Sequence, residues 1–184
     1  MDARRPARNC MNAVVFVDTN VIIYAYHGAE PEKQPRAMKW IDSLWRERLG
    51  RTSMQVLSEC YATFTHKIKP ALSSVAAWDI VETLFTWNPQ PIDAATLGRA
   101  FEIQSRYRLS WWDSLVVAAA QLQSCTILLS EDLQEGANYG GVIVRSPFTL
   151  GIAEAAAEYS TLPTATHRYR GRGRPRRTSF AATG

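Results

Sequence analysis

The segment that most constrains the fold is residues 13–26, AVVFVDTNVIIYAY, an apolar run interrupted once, by Asp18-Thr19-Asn20. A short run of β-branched and aromatic residues is typical of a strand that is buried on both faces of a parallel sheet. The run stops at Asp18, so the strand would carry a carboxylate at its carboxyl end, the edge where open α/β sheets bind ligands. A buried charge there is costly unless backbone N–H groups or a metal ion compensate it. The segment therefore predicts a parallel sheet with a polar site at one edge.

The rest of the chain alternates between patterns typical of helices and of strands. Apolar spacing predicts helices over residues 21–26, 34–49, 55–67, 73–87, 94–107 and 111–123. Short segments between these helices predict further strands over residues 51–53, 89–92, 126–129 and 142–144, of which the last two are buried apolar runs. The last helix, WWDSLVVAAAQLQ, is apolar almost all round and is expected at the centre of the molecule. We predict one doubly wound α/β domain over residues 13–150, with a mainly parallel central sheet flanked by helices.

Length, cysteine usage and charge distribution limit which classes of protein this chain can belong to. A chain of 184 residues is long enough for one well-buried domain. Its three cysteines are far apart and form no CxxC pair, so neither a disulfide framework nor a zinc site is predicted and a cytoplasmic setting is expected. No long uncharged segment occurs, and Asp18 interrupts the N-terminal apolar run, so neither a membrane span nor a signal peptide is predicted. Met11 is an alternative start to Met1.

The net charge of +4 belongs to the two ends of the chain. Residues 1–12, predicted as a flexible basic N-terminus, carry three arginines, whereas residues 13–150 carry 12 Lys and Arg against 14 Asp and Glu. Residues 151–184 carry six arginines and are predicted to be an extension followed by a disordered Arg-rich tail. Arg172 and Arg174 lie in an Arg-Gly-Arg-Pro segment that resembles a minor-groove-binding AT-hook. The alternative is a nonspecific, salt-sensitive contact of the tail with nucleic acid.

Four acidic residues are candidates for a site at the predicted sheet edge: Asp18, Glu59, Asp113 and Asp132. Asp18 and Asp132 each follow a predicted strand, and Asp113 shares the apolar face of its helix. Like charges that meet repel one another and raise each other's pKa unless divalent cations neutralise them. Oxygen ligands without histidine or cysteine select hard cations such as Mg²⁺ or Mn²⁺. A cation held in this way supports phosphodiester hydrolysis.

Two of these acids also have a purely structural interpretation at a helix start. Asp18 can cap the helix that follows it, a position at which aspartate is favoured. Asp113 lies three residues after Ser110, so the two can form a capping box in which the acid bonds back to the backbone of the cap residue. Both interpretations compete with a functional role for the same carboxylates.

The placement of the other two acids, Glu59 and Asp132, is also undecided. The pattern around Glu59 on its helix favours a solvated face. Asp132 can serve as a turn-forming residue after its strand. Its neighbour Glu131 can take its place in the site, because the end of a strand does not determine which of two consecutive acids points inward. The sequence pattern alone therefore leaves both positions undecided.

Four segments, VVFVDTNVIIYAY, SECYATF, SWWDSLVVAAA and ILLSEDLQEG, resemble the four acidic motifs of the PIN-domain family in the family's order, and most closely those of bacterial VapC-type toxins. The resemblance covers residues 14–144 and implies a Mg²⁺- or Mn²⁺-dependent ribonuclease. Asp18 and Asp113 match the family's most regular metal ligands, and Asp132 and Glu59 match positions that act as ligand, outer-sphere or base support. The positions that match supporting residues are Thr19, Asn20 and Ser130.

The resemblance also implies partners: an RNA substrate, a second copy of the chain in a homodimer, and a cognate antitoxin whose tail occupies the acidic groove. Two other functions stay open on the residues alone. One is a nucleic-acid-binding regulator that acts through its Arg-rich tail and has a vestigial acidic site. The other is an aspartyl-phosphate phosphatase with Asp18 as nucleophile, although such enzymes usually have a second Asp where this chain has Asn20. Trp40 and Trp45 can belong to the core, a dimer face or an antitoxin groove.

Overall fold

A five-stranded sheet runs through the part of the chain that the computed structural model describes, residues 13–28 and 30–149. Its strands are β1 (Val15–Val17), β2 (Gly50–Arg51), β3 (Ile127–Leu129), β4 (Asn138–Tyr139) and β5 (Val142–Arg145). They are ordered β2-β1-β3-β5-β4, and every neighbouring pair is parallel except β4 with β5. The predicted α/β class with a mainly parallel sheet is confirmed.

Six α-helices accompany this sheet: α1 (Thr19–Tyr26), α2 (Gln34–Glu47), α3 (Met54–Ala62), α4 (Ser74–Leu84), α5 (Ala94–Tyr107) and α6 (Trp111–Leu122). In all but α2, a Ser or Asp at the N-cap accepts a hydrogen bond from a backbone N–H of the first turn, as these residue types favour. Helix α3 continues into a π-helical turn (Thr63–Lys67), and α4 continues into a 3₁₀ turn (Phe85–Trp87).

The core lies between the sheet and the helices. Strands β1 and β3 are buried at every residue, and α6 is buried from Ser114 to Ala120, so the expectation that this helix is central is confirmed. Trp40 is only 2% exposed, and its indole Nε1 donates to the carbonyl of Pro147 at 3.3 Å. Trp45 is half-buried and packs against Trp87 with ring centroids 5.2 Å apart. Trp40 is therefore a core residue.

The strand predicted over residues 89–92 is wrong. Only Gln90 forms a bridge, to Ser53, with its N–H donating to the carbonyl of Thr52 at 3.0 Å. Pro89 and Pro91 lie on either side of Gln90, and neither has an N–H to give to a ladder. The prolines thus limit this segment to a single bridge.

The strand predicted over residues 142–144 is β5, but its antiparallel partner β4 and the hairpin that they form were not predicted. Its two-residue turn is Gly140-Gly141, with φ of 63° and 101°, and a turn with φ > 0 at both central residues strongly favours glycine. The Tyr-Gly-Gly-Val segment was the available signal. The hairpin adds the only antiparallel edge strand in the described part of the sheet.

Some predictions fall outside the described residues: the basic N-terminus of residues 1–12, and the tail of residues 151–184 with Arg172 and Arg174. Within the described ranges, no helix is both long enough and apolar enough to cross a membrane.

The Gly50→Ala variant tests the packing at the β2 edge. A Cβ on Gly50 would lie 2.5 Å from the ring of Trp87, which is itself 3% exposed, so neither group has room to yield. We expect the free energy of unfolding to fall by about 1–3 kcal/mol, the usual cost of overpacking. Chemical denaturation measures this change. The matched control is Gly98→Ala on α5, where a Cβ meets nothing within 4 Å and a gain of up to about 1 kcal/mol is expected. A Gly50→Ala chain as stable as the wild type would contradict the packing described.

Candidate active site

The site begins where the two central strands end. Val17 of β1 pairs with Leu129 of β3, so the residues that follow, Asp18 and Ser130, lie side by side. The Ser130 hydroxyl donates to Asp18 Oδ2 at 2.7 Å, and the backbone N–H of Thr19 donates to Oδ1 at 2.7 Å. Asp18 therefore caps α1 and is also fixed from the neighbouring strand, with 9% of its surface exposed.

Thr19 and Asn20, in the first turn of α1, connect Asp18 to two further acids. The Thr19 hydroxyl donates to Glu59 Oε2 at 3.0 Å, and Asn20 Nδ2 donates to Asp132 Oδ2 at 2.9 Å. Together with Ser130, these residues form a set of neutral donors that holds three carboxylates around the start of one helix.

Asp113 comes from the first turn of α6. The Ser110 hydroxyl donates to Asp113 Oδ2 at 2.7 Å and accepts from the backbone N–H of Asp113 at 3.1 Å. The acid thus bonds to the side chain of the cap residue, whereas a capping box would place it on the backbone N–H of that residue. Asp113 is half-buried, and these bonds fix its carboxylate at the helix N-terminus.

All four acids line one cavity of about 350 Å³ at the carboxyl edge of the sheet. Trp112, the residue before Asp113, is 62% exposed at the cavity wall. Six residues that the sequence pattern did not assign to the site also line the cavity: Ile23, Tyr24, Gln55, Thr63, Lys67 and Val116. The available signal for three of these was their spacing, because Gln55, Thr63 and Lys67 lie −4, +4 and +8 positions from Glu59.

The solvated placement favoured for Glu59 is wrong. The residue is half-buried, and besides the bond from Thr19 it accepts one from Gln55 Nε2 to Oε1 at 2.9 Å. Glu131 and Asp132 also differ in their contacts. Glu131 forms a salt bridge with Lys33, whereas Asp132 lines the cavity.

The acids affect one another electrostatically. Burial raises the pKa of Asp18 from the ordinary 3.8 to about 6; hydrogen bonds from Ser130 and Thr19 oppose the rise, and the charges of Asp132 and Glu59 add to it. Burial also raises the pKa of the Cys60 thiol, with Asp18 and Glu59 adding to that shift. Ionised Asp18 is therefore costly in this site without a compensating positive charge.

The four carboxylates are the kind of ligand that a hard cation prefers. The four carboxylates accept hydrogen bonds from neutral groups and form none of the salt bridges within the described residues. Each carboxylate has about four lone-pair sites, so oxygen donors are still available, and oxygen-only sites suit Mg²⁺ and Mn²⁺. Within the described ranges, however, no three His, Cys, Asp or Glu side chains are already grouped as metal ligands. The four acids therefore suit such a cation by ligand type and charge, but their side chains are not arranged around a coordination site.

The fold and site define a class of α/β proteins with an acid-lined cavity at the carboxyl edge of a parallel sheet. A family model described as the PIN domain matches residues 15–134. This range exceeds half of the 184-residue chain, and the chain belongs to the PIN-domain family. Membership of this family supports nuclease activity in general.

A solved structure shares the fold. The crystal structure of VapC20 from Mycobacterium tuberculosis, described as a sarcin-ricin loop-cleaving toxin, superposes with a TM-score of 0.51 at 19% identity. The match covers 64% of this chain and 91% of that protein. A comparison with curated protein sequences gave no significant match.

Proposed function

We propose that this chain is a Mg²⁺- or Mn²⁺-dependent ribonuclease that hydrolyses RNA phosphodiester bonds, and that it acts as the toxin of a type II toxin–antitoxin pair. One observation carries the proposal: acids from four separate parts of the chain line a single cavity, in a member of the PIN-domain family. The toxin assignment is supported by the resemblance to VapC-type motifs and by the fold shared with VapC20.

In this proposal Asp18, Asp113 and Asp132 hold the cation. A bound divalent ion lowers the pKa of water and neutralises charge on the phosphoryl group. The chain's own groups set the positions of the ligands: Ser130 orients Asp18, and Asn20 orients Asp132. Supporting hydrogen bonds of this kind fix the direction and basicity of ligating carboxylates.

Glu59 is proposed to complete the catalytic set as a general base that accepts a proton from water. Its Oε1 and Oε2 each accept one hydrogen bond, from Gln55 and Thr19. Because a carboxylate has about four lone-pair sites, either oxygen can also accept a proton from a water in the cavity. General-base assistance of this kind contributes about 10²–10⁴-fold to a rate.

The proposed antitoxin partner follows from the charge of the cavity. An antitoxin that places an arginine among the four carboxylates would replace the charge of the cation, and a guanidinium matches carboxylate geometry in two hydrogen bonds. A homodimer and a cytoplasmic location belong to the same proposal.

The proposal predicts that RNA cleavage requires the cation and the acids together. The purified chain should cleave RNA with Mg²⁺ or Mn²⁺, lose this activity with a chelator and regain it with excess cation. Asp113→Asn should lower the rate by roughly 10²-fold or more, since even residues that merely support metal ligands are worth about 10–100-fold. Gel-based cleavage assays measure both effects. The matched control is Glu131→Gln, which removes an acid that is adjacent to the cavity and outside its lining and should leave the rate within about twofold.

The same two variants test the toxin assignment. Expression of the wild type and of Glu131→Gln should slow growth of a bacterial host, and Asp113→Asn should not. Cleavage that a chelator does not affect would contradict the metal-dependent mechanism, and a folded Asp113→Asn chain with the wild-type rate would contradict the assigned site. Cleavage without any effect on growth would remove the toxin assignment and keep the nuclease. Deletion of residues 165–184 should leave cleavage of a short RNA intact, whereas a wild-type chain that cleaves no RNA and loses nucleic-acid binding on this deletion would favour the regulator instead.

A further inference from the structure

Lys67 is the one cationic side chain among the described residues that line the acidic cavity. We propose that Lys67 binds a phosphate of the RNA substrate beside the four carboxylates, and so sets the position of the chain that is cut. This inference rests on the proposed function, and it assigns to the same cavity a substrate-binding residue that the acidic motifs do not contain.

The charge of the cavity creates the need for such a residue. RNA is a polyanion, and four carboxylates at the cavity wall repel it. A cation held by the acids offsets part of this repulsion at the reacting phosphate, but a neighbouring phosphate also requires a positive partner. Lysine and arginine supply most of the affinity of proteins for nucleic-acid backbones.

Among the described residues, none forms a salt bridge with Lys67. The three salt bridges within the described residues are Lys33–Glu131, Arg99–Glu102 and Arg145–Glu135, and Lys67 takes part in none of them. Its side chain is exposed, so its ammonium group is hydrated and available. The role of Lys67 is therefore not to neutralise an acid of the cavity.

The other lysine near the cavity is already engaged. Lys33 Nζ forms its salt bridge with Glu131, lies 4.6 Å from the ring centroid of Tyr24, and lies 5.4 Å from that of Phe148. Release of Lys33 for a phosphate would break these contacts, whereas Lys67 loses none.

The backbone directs Lys67 into the cavity through the π-helical turn. Gln55, Glu59, Thr63 and Lys67 follow one another at intervals of four residues, and all four line the cavity. An α-helix has 3.6 residues per turn, so each interval of four rotates the row by roughly 40° and the whole row would spread over roughly 120°. The π-helical turn (Thr63–Lys67) closes with an i→i+5 bond from Ile68 N–H to Thr63 O, which adds residues to the turn and keeps Lys67 closer to the line of Glu59.

The test is RNA binding and cleavage by the full chain with Lys67→Met, which keeps an unbranched apolar stem and removes the charge. Binding of a short single-stranded RNA is measured by fluorescence anisotropy over a range of salt concentrations in the presence of a chelator. We expect the affinity at low salt to fall about five- to tenfold, and the slope of log K against log salt to become shallower by about 0.7, the value for one phosphate contact on a single strand. Residues 150–184 are present in every variant, so their contribution cancels in the comparison.

Two controls separate charge from structure. Lys69→Met removes an exposed lysine two residues further on, outside the cavity lining, and should change neither affinity nor slope. Lys67→Arg should restore both. In cleavage assays Lys67→Met should raise KM and leave kcat within about twofold, because the lost contact contributes to binding in the ground state and the transition state alike.

The possible failures can be told apart. An unchanged salt slope in Lys67→Met, or the same change in Lys69→Met, overturns this inference while cleavage by the wild type still supports the proposed function. A wild-type chain that binds RNA through Lys67 and cuts none overturns the proposed nuclease and keeps the phosphate contact. A wild-type chain that binds no RNA in the chelator and cuts none with Mg²⁺ or Mn²⁺ overturns both.

Discussion

Asp18→Asn is expected to abolish RNA cleavage and, in the absence of divalent cations, to stabilise the fold. The loss of activity should be about 10³-fold or more, since metal stabilisation of transition-state charge is worth several kcal/mol. The gain in stability follows from the pKa of Asp18, which burial raises to about 6. The same residue is thus predicted to be required for function and unfavourable for the metal-free fold.

The sign of the stability effect depends on pH. Asp18 has a higher pKa in the folded chain, about 6, than the ordinary 3.8, so the folded state binds a proton more tightly than the unfolded state does. Well below pH 4 the carboxyl is protonated in both states, and the buried charge costs nothing. As pH rises from about 4 to 6, the wild type loses stability relative to the asparagine variant, and above about pH 7 the difference is constant.

The size of the difference is set by two opposing terms. A shift of roughly two pKa units corresponds to about 3 kcal/mol at 1.36 kcal/mol per unit. Asparagine can still accept from Thr19, but it cannot accept from the Ser130 hydroxyl through its amide nitrogen, which costs about 1 kcal/mol. The net gain expected for Asp18→Asn is therefore about 2 kcal/mol at pH 8, falling to zero or below near pH 4.

Denaturant unfolding of both chains at several pH values, in a chelating buffer, measures this difference. Addition of Mg²⁺ should then raise the stability of the wild type and leave the variant unchanged, because a ligand stabilises only the state that binds it. Parallel profiles of stability against pH for the two chains would show that the pKa of Asp18 is not raised in the folded chain. Equal stabilisation by Mg²⁺ would show that Asp18 does not hold the cation.

Trp40→Ala is expected to lower the free energy of unfolding by about 3–5 kcal/mol, the usual cost of deleting a large buried aromatic side chain. Trp40 is 2% exposed, and its indole also donates to Pro147 O, which ties α2 to the segment after β5. For a domain whose total stability is about 5–15 kcal/mol, this loss is a large share. Thermal and chemical unfolding measure it.

Trp112→Ala is the matched control for this change, because the same side chain is removed from a position that is 62% exposed. Its effect on stability should stay within about 0.5 kcal/mol. If Trp40 instead belonged to an interface between chains, Trp40→Ala would leave the unfolding energy of the monomer unchanged and would shift the oligomeric state. That outcome would contradict the core assignment.

Local features of the fold were predictable from the sequence because their causes are local. The run that forms β1 is apolar and β-branched, and it ends at an acid that caps the next helix. Serine and aspartate caps mark the starts of α3 to α6. Each of these signals lies within a few residues of the structure it determines, so the sheet class and the positions of Asp18 and Asp113 could be read from the chain alone.

Other features depend on contacts between distant parts of the chain. Glu59 has no local signal for burial, and only the approach of α1 to α3 places Thr19 against it. Glu131 and Asp132 are equivalent by position in the sequence. They differ in partners that lie about a hundred residues away: Lys33 binds Glu131, and Asn20 donates to Asp132. The spacing of Lys67 from Glu59 is visible in the sequence, but the π-helical turn through which Lys67 reaches the cavity is not.

The sequence by itself determined which acids this protein has available and at the ends of which elements they lie, because strand and helix termini are set by neighbouring residues. The tertiary structure decided which of those acids share a cavity, which groups hold each acid by hydrogen bonds, and which cationic side chain lies beside them. Those outcomes depend on side-chain contacts between segments 40 to 112 residues apart, and such contacts exist only after the chain has folded.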